Sequence, residues 1–388
     1  MTSIESHRSG NSTNDRSSSG SLEGAAPDAR IERAWTLPAD VYRSPALFDR
    51  LRERTLATSW HWLELDGDTA AGELRPATLL PGSLDEPVLG LPGGRVVSNV
   101  CTHRGAVLVD GPRSNCRHVI CPYHGRRFDL AGRFEFMPEF ENAEGFPAES
   151  DHLPEVPSAR LGPLTFASVA PASSFDQLLG GVAERVRALP LDEFVFDPAR
   201  SRTYEFDANW ALYVDNYLEG FHVPYVHPGL NEVIDYGSYT SELFDRANLQ
   251  IAWAKDGEPA FEAEFTPEDC AGGGAGVAAY YAWLFPATML NFYPWGLSLN
   301  AVQPLGPGRT RVVFRSYVWR EALVGSGAGG ALDEVELEDE AIVQAVQRGV
   351  RSRFYRRGRF SPTREKGVHH FHRLLAQSLD QQGEQQGD

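Results

Sequence analysis

The chain has 388 residues, 42% hydrophobic and 23% charged, which is enough apolar material for two or three globular domains. The net charge of -17 argues against nucleic acid as a partner, because phosphate binding requires a basic surface. Four cysteines are too few for a disulfide scaffold, and no apolar stretch reaches the roughly 18 residues of a membrane-spanning helix. We therefore expect a cytoplasmic protein with reduced thiols and no membrane partner.

The N-terminal part of the chain divides into a polar tail and a region of short strands. Residues 1–30 are rich in Ser, Gly and Asn and lack the apolar core of a signal peptide, which predicts a disordered tail. Residues 31–165 begin with a helical stripe of Leu47, Leu51 and Leu56. Short apolar runs broken by Gly and Pro follow, and these predict an all-β domain.

Residues 166–380 are predicted to form a second domain of helices and longer strands, followed by a frayed end at 381–388. Apolar spacing and the placement of charge predict helices near 175–189, 332–350 and 368–379. Alternating apolar residues predict strands near 201–210, 288–305 and 309–319.

Aromatic residues are concentrated in the middle of the second domain. They are Tyr280, Tyr281, Trp283, Phe285, Phe292, Tyr293 and Trp295. We expect most of them to pack in the core, and alternate members to form the wall of a pocket for an apolar ring or a cationic ammonium group.

Two Cys–His pairs carry the most specific chemical pattern of the sequence. Cys101 and His103 are separated by one residue, and after seventeen further residues Cys121 and His124 are separated by two. Two thiolates and two imidazoles can bind zinc, or a [2Fe–2S] cluster with both Cys on one iron and both His on the other. Zinc sites usually pair Cys with Cys and His with His, whereas each pair here combines one of each. The spacing therefore favours the two-iron cluster.

The remaining cysteines do not fit this pattern. Cys116 and His118 lie between the two pairs and break their spacing, so we expect them to be ordinary strand residues. Cys270 is expected to be a buried or free thiol.

A second group of ionisable side chains lies near the start of the second domain. On a helix over residues 212–221, Asp215, Glu219 and His222 would share one face. Ionisable groups on an otherwise apolar helix are costly unless they bind something. The pattern therefore indicates a binding site.

His222 and His227 are the histidines of this second site. On a regular helix they would diverge by about 140°, but Pro224 breaks the helix between them and allows both imidazoles to share a metal. Two imidazoles and one carboxylate form the facial triad of non-haem Fe(II) oxygenases, which leaves positions for O2 and substrate. The sequence alone does not choose the carboxylate among the acids of the predicted C-terminal helix: Asp333, Glu334, Glu336, Glu338, Asp339 and Glu340.

Together the two sites resemble those of the catalytic (alpha) subunits of Rieske non-haem iron oxygenases. The Cys-x-His-x17-Cys-x2-His spacing is similar to the cluster motif of that family, as are the trailing Gly125, Phe128 and Gly132. The iron motif is matched by Asn209-Trp210, Asp215-Asn216 and the run from Glu219 to His227. The likeness covers most of residues 40–375 and is greatest to the choline, glycine-betaine and carnitine monooxygenase branch.

The resemblance implies the fold and the cofactors. It implies an α+β chain in which an all-β Rieske [2Fe–2S] domain precedes a helix-grip (START/Bet v1-like) catalytic domain with an antiparallel sheet. The implied cluster ligands are Cys101, His103, Cys121 and His124, and the implied ligands of a mononuclear non-haem Fe(II) are His222, His227 and Asp339.

The resemblance also implies catalytic residues and partners. Glu219, with Asp215 and Asn216 beside it, is implied to bridge the iron site to a Rieske histidine, although most members have Asp at the position of Glu219. Electrons would come from a ferredoxin or a flavin reductase. In this family the cluster of one subunit serves the iron of the next, which implies a head-to-tail homotrimer with His124 near Glu219 of its neighbour.

Several functional hypotheses stay open at this point. The first is an oxygenase that hydroxylates or oxidatively demethylates a small tertiary or quaternary amine, and the second is an aromatic-ring-hydroxylating dioxygenase. From other classes, a Rieske electron-transfer protein with a non-catalytic ligand-binding domain and a zinc-stapled structural protein remain. Eight basic residues in 348–366 either pair with acids of the chain or dock an acidic ferredoxin.

Overall fold

The structure is a computed structural model that describes residues 25–65, 67–262 and 276–380. Most of the predicted N-terminal tail, the predicted frayed end at 381–388 and Cys270 lie outside these residues. Within the described part, the backbone oxygen of Asp28 accepts a hydrogen bond from Nε2 of His369 at 2.7 Å. Contacts with the C-terminal helix therefore begin before residue 31, where the tail was predicted to end.

A short helical segment precedes the first strand. A 3-10 turn at Ala39–Tyr42 leads into α1 (Pro45–Leu51), and one π turn at Arg52–Leu56 follows. The Ser44 hydroxyl caps α1 by accepting a hydrogen bond from the amide of Leu47 at 3.3 Å. The predicted leucine stripe is confirmed, because its members are buried against the core.

The first domain consists of three small antiparallel sheets, as its short apolar runs predict. Its strands are β1 (His61–Leu63), β2 (Arg75–Leu79), β3 (Glu86–Leu91), β4 (Arg95–Ser98), β5 (Val119–Ile120), β6 (Arg127–Phe128), β7 (Phe134–Phe136), β8 (Ser158–Leu161) and β9 (Leu164–Ala167). They pair in the orders β1-β9-β8, β2-β3-β4 and β5-β6-β7. Since β9 pairs with both β1 and β8, the predicted domain boundary after residue 165 falls inside a strand.

The second domain is built on one antiparallel sheet of seven strands with the order β10-β16-β15-β14-β13-β12-β11. The strands are β10 (Val195–Phe206), β11 (Ile234–Leu243), β12 (Ala247–Ala254), β13 (Val277–Leu284), β14 (Thr288–Tyr293), β15 (Gly296–Gly306) and β16 (Arg309–Val318). Every residue of the central strand β14 is buried, so both faces of the sheet are covered at its centre.

The described residues of this domain form six α-helices. They are α2 (Phe175–Val186), α3 (Trp210–Tyr217), α4 (Val223–Val226), α5 (Pro228–Val233), α6 (Leu332–Val350) and α7 (Lys366–Asp380). Helix α7 packs on the sheet and on α3, with the ring of Phe371 edge-on to Trp283 at 5.4 Å and to Trp210 at 5.8 Å. No helix of the described residues is long and apolar enough to cross a membrane.

Candidate functional site: two metal-binding regions

The two Cys–His pairs lie on two loops with the same backbone design. One loop connects β4 to β5 and the other connects β5 to β6. In each loop the backbone oxygen of the cysteine accepts a hydrogen bond from the glycine four residues later, at 3.0 Å for Gly105 and 3.1 Å for Gly125. Both glycines have φ near +70°, a conformation that side-chain-bearing residues rarely adopt. The loops therefore present their Cys and His side chains in matching ways.

The side chains of the four residues sort into a thiol pair and an imidazole pair. Cys101 and Cys121 are buried and lie close enough to interact, and burial is the largest of the effects that together raise the pKa of the Cys101 thiol. The rings of His103 and His124 meet edge to face with centroids 4.9 Å apart. Burial, followed by the neighbouring His124, lowers the pKa of His103, which favours the neutral form that binds metals.

This arrangement fits a two-iron cluster better than a zinc ion. Four ligands about 2.0–2.3 Å from one zinc ion would all lie within about 4 Å of one another. Within the described parts of the chain, no three of these four residues bring their ligand atoms within 4.8 Å of one another. A pair of thiols and a pair of imidazoles match a cluster in which two Cys bind one iron and two His bind the other.

Arg126 supports the second loop, and the sequence analysis did not identify it. Its side chain is almost fully buried, and Nη2 donates to Oδ1 of Asp151 at 2.5 Å and to the backbone oxygen of Asp151 at 3.1 Å. The guanidinium also lies 4.9 Å from the ring centroid of Phe134. A buried cation with this set of partners holds the loop rigidly beside Cys121. Its position between Gly125 and the β6 strand was the only available indication in the sequence.

The second region brings His222, His227 and Asp339 together. The Nε2 atoms of the two histidines are 3.1 Å apart. Oδ1 of Asp339 lies 3.0 Å from Nε2 of His227 and 3.6 Å from Nε2 of His222. Three ligands at about 2.1 Å from one ion and at right angles to each other would be about 3 Å apart. The three atoms therefore have the spacing of one face of an octahedral metal site.

The local chain differs from the predicted helix over 212–221. Helix α3 ends at Tyr217, and His222 and His227 stand at the two ends of the short helix α4. Gly220 allows this path because a Cβ atom there would come within 2.8 Å of the ring of Tyr239. Pro224 in the first turn of α4 then fixes the new direction, so the two imidazoles converge as the proline predicts.

Because α3 ends early, Asp215, Glu219 and His222 do not lie on one continuous helix, but all three line a second cavity. Asp215 stays on α3 and accepts hydrogen bonds from the Tyr42 hydroxyl and from His372, both at 2.8 Å. The structure thus places Asp215 in a buried contact with the N-terminal segment and α7, and not at the metal position.

Three other side chains orient the metal-facing groups. Glu219 accepts hydrogen bonds from the backbone amide of His222 at 3.0 Å and from its Nδ1 at 2.8 Å. The amide of Asn216 donates to Oδ1 of Asp339 at 2.9 Å. Glu338 was predicted only as one of six candidate metal ligands, but its Oε2 lies 2.6 Å from Nδ1 of His227, on the side of the ring away from the metal position. The pairing of histidine with an outer carboxylate is common around bound metals, and it could have drawn attention to the acid beside Asp339.

The electrostatics of the second region favour a bound cation. Burial alone would lower the pKa of His227, but Asp339 and Glu338 outweigh it and raise that pKa above its usual value. Two carboxylates therefore stabilise positive charge on this ring, which a metal ion would supply in place of a proton.

A cavity opens beside the three converging side chains. Five tyrosines line it, Tyr213, Tyr217, Tyr239, Tyr281 and Tyr293, together with amides such as Gln250 and Asn291 and the carboxyl group of Glu336. Of the aromatic residues predicted to alternate between pocket and core, Tyr281 and Tyr293 line the cavity. Tyr280, Trp283, Phe285 and Phe292 pack in the core.

Comparison with known protein families identifies both domains of the chain. Residues 92–154 match the Rieske [2Fe–2S] domain family, and residues 196–381 match the catalytic domain of the ring-hydroxylating alpha subunit family. The second match confirms the enzyme hypothesis over the electron carrier and the zinc protein.

Relatives match along almost the whole chain. A choline monooxygenase from Arabidopsis thaliana is 30% identical over 91% of this chain and 85% of its own length. The oxygenase subunit of carnitine monooxygenase from Escherichia coli K12 is 29% identical over 90% of this chain and 95% of its own.

Solved structures share the fold at lower identity. The structure of a quaternary ammonium Rieske monooxygenase superposes with a TM-score of 0.72 at 24% identity, over 91% of this chain and 97% of that one. Naphthalene 1,2-dioxygenase from Rhodococcus sp. gives 0.65 at 18% identity, over 88% and 93%. The α+β fold, with a Rieske domain before an antiparallel catalytic domain, is thereby confirmed. The chain belongs to the catalytic alpha subunits of the Rieske non-haem iron oxygenases, oxidoreductases that carry a [2Fe–2S] cluster and a mononuclear iron and incorporate oxygen from O2.

Proposed function

We propose that this enzyme is a monooxygenase that oxidises a C–H bond of a small quaternary or tertiary amine. The observation that carries the proposal is the lining of the cavity beside His222, His227 and Asp339. Five tyrosines and three acids line it, and no Lys or Arg is among the described residues that line it. Aromatic faces and a carboxyl group attract a cationic ammonium group, whereas a purely hydrocarbon ring needs neither.

The relatives support an amine substrate. The names of the Arabidopsis thaliana and Escherichia coli proteins specify choline and carnitine, which both contain a quaternary ammonium group. In monooxygenation, one atom of O2 enters the C–H bond, and two electrons and two protons reduce the other atom to water. The bound iron supplies the O2 activation for this reaction.

The proposed ligands follow from the contacts. We assign Cys101, His103, Cys121 and His124 to the cluster, and His222, His227 and Asp339 to the iron. Glu219 keeps the proton of His222 on Nδ1 and so leaves Nε2 free to face the metal. Asn216 holds Oδ1 of Asp339 through its amide and limits the rotation of that carboxylate.

We also propose that the enzyme is a homotrimer in which His124 of one copy contacts Glu219 of the next. The His124 side chain is exposed, and its ring contacts are with His103 and Tyr123 of its own domain. An exposed imidazole next to the cluster position suits contact with a neighbouring copy. A ferredoxin or a flavin reductase would donate electrons, and the reducing cytoplasm would keep the cysteines that bind the cluster from forming disulfides.

A single-turnover experiment tests the substrate class. Protein with both metal sites loaded is reduced without O2, separated from the reductant, and exposed to 18O2 with a panel of amines and arenes. We expect one 18O atom in a hydroxylated amine, or a demethylated amine together with an aldehyde whose oxygen exchanges with water. Incorporation of two 18O atoms into an arene, with no oxidation of any amine, would reject the proposal.

A further inference from the structure

Glu336 is a buried acid in the wall of the cavity, one helical turn before Asp339. Only 3% of the residue is exposed. Its Oε2 accepts a hydrogen bond from the Tyr213 hydroxyl at 2.6 Å. Its Oε1 is buried as well and has no hydrogen-bond partner among the residues that the structure describes. A carboxyl oxygen in this state is costly, because burial removes its water without replacing the hydrogen bonds.

The surroundings of Glu336 lack a compensating cation. The described residues that line the cavity include neither Lys nor Arg, and its two histidines face the metal position. Burial raises the pKa of Glu336 well above its usual value, and the nearby acids Asp339 and Glu340 add to this effect. A positive charge that enters the cavity would therefore meet a carboxyl group with one oxygen, Oε1, that has no hydrogen-bond partner among the described residues.

A purely structural role explains only half of this arrangement. The bond from Tyr213 fastens α3 to α6, but a glutamine at this position would accept it equally well. A structural tie does not require the second oxygen, Oε1, to be buried without a hydrogen-bond partner in a residue that lines the cavity. Since positions three apart on a helix share a face, the carboxyl groups of Glu336 and Asp339 point toward the same side of α6.

We infer that Glu336 is the counter-charge for a cationic nitrogen, and that the enzyme selects small monocations over amines that also carry a carboxylate. The inference rests on the proposed function and narrows its substrate class. The nitrogen would lie about one helical turn from the iron ligand Asp339, so the oxidised carbon is on or near that nitrogen. A substrate carboxylate would find no Lys or Arg in the described lining, which contains three acids, Glu219, Glu336 and Asp339.

Binding to the unaltered enzyme gives the first test. Dissociation constants are measured without O2, on protein with both metal sites loaded, for choline, its neutral isostere 3,3-dimethylbutan-1-ol, and L-carnitine. We expect choline to bind at least about tenfold more tightly than either of the other two compounds, because each of them lacks one favourable interaction between a net positive charge and the Glu336 carboxylate. Equal binding of choline and the neutral isostere, or tighter binding of L-carnitine, would overturn the inference.

The Glu336→Gln variant gives the second test. Glutamine keeps the acceptor for Tyr213 and removes the charge, so we expect choline to bind about 10- to 100-fold more weakly while the neutral isostere is unaffected. Glu334→Gln, an exposed acid on the same helix, is the matched control and should behave like the unaltered enzyme. Equal losses for choline and the isostere would assign Glu336 a structural role and reject the inference.

The two proposals fail in different ways. If amines are oxidised in the 18O2 experiment but the dissociation constant of choline is unchanged in Glu336→Gln, the inference is rejected and the proposed function stands. If no amine binds or reacts, both fall. The visible spectrum of the cluster and the unfolding temperature of each variant report whether its fold is intact.

Discussion

Oε2 of Glu338 lies 2.6 Å from Nδ1 of His227, while Oδ1 of Asp339 lies 3.0 Å from Nε2 of the same ring. Two consecutive acids of α6 thus contact the opposite nitrogens of one imidazole. Because Glu338 can only accept, it keeps a proton on Nδ1 and leaves the lone pair of Nε2 directed at the metal position.

Removing the Glu338 carboxylate should therefore weaken iron binding without affecting the cluster. We expect Glu338→Ala to lower the affinity for Fe(II) by about 10- to 100-fold, the usual effect of losing an outer carboxylate. Anaerobic titration of metal-free protein with Fe(II) measures the affinity, and the visible spectrum follows the cluster. Glu334→Ala is the matched control, since Glu334 is exposed on the same helix. Equal affinity for Glu338→Ala and the control would show that Glu338 does not position His227.

Glu219 should matter for turnover more than for metal content. In Glu219→Gln the single amide oxygen can still accept from Nδ1 of His222, so iron is expected to remain, but the bond from the His222 backbone amide and the charge proposed to face the neighbouring His124 are lost. We expect product formation to fall by about 10- to 100-fold while iron and cluster content stay unchanged. Measuring O2 consumption and the amount of oxidised amine in the same reaction tests this expected fall in product formation. Glu232→Gln, at an exposed acid of α5, serves as the control, and full activity of Glu219→Gln would contradict the proposed bridge.

The sequence predicts the convergence of His222 and His227, because a proline between two histidines changes the direction of the chain wherever the helix lies. It does not predict that α3 ends at Tyr217, since that end depends on the close approach of Gly220 to Tyr239 on a distant strand. Helical spacing nevertheless predicts that Asp215, Glu219 and His222 lie on one side, because all three line a second cavity although α3 ends between them.

The acids of α6 show a similar limit. The buried positions Glu336, Val343, Gln347 and Val350 repeat at intervals of three to seven residues. Counting back from Val343 along this face leads to Asp339 and then to Glu336. The spacing of the buried residues near the C-terminal end of α6 therefore predicts which acids near its N-terminal end lie on the same face. What the pattern does not contain is the burial of a carboxyl group, because an acid is expected on a solvated face unless its partner is known.

The proposed trimer makes a prediction about mixed oligomers. We expect a native mass of three chains of 42.8 kDa each. His124→Ala and His222→Ala should each be inactive alone, because one lacks a proposed cluster ligand and the other a proposed iron ligand. The two variants are co-expressed, each with its own affinity tag, and trimers that carry both tags are purified. Every such mixed trimer contains one interface between an intact cluster domain and the intact iron site of the neighbouring chain. Such trimers should regain part of the activity, and mixed trimers without activity would indicate transfer within one chain.

His61 should make the fold sensitive to acid. Its side chain is buried at the start of β1, Nε2 lies 2.8 Å from the backbone oxygen of Leu56, and burial lowers its pKa to about 4. The unfolded chain binds a proton near pH 6.5 and the folded protein only near pH 4, so the free energy of unfolding falls as the pH drops through this window. The shift corresponds to a loss of about 3 kcal/mol, complete below pH 4. Denaturant unfolding between pH 7 and pH 4 measures it. The His61→Gln variant keeps a hydrogen-bond donor to the backbone oxygen of Leu56 but does not titrate, so it should lose less stability over the same pH range. An equal loss in both proteins would assign the acid sensitivity to other groups.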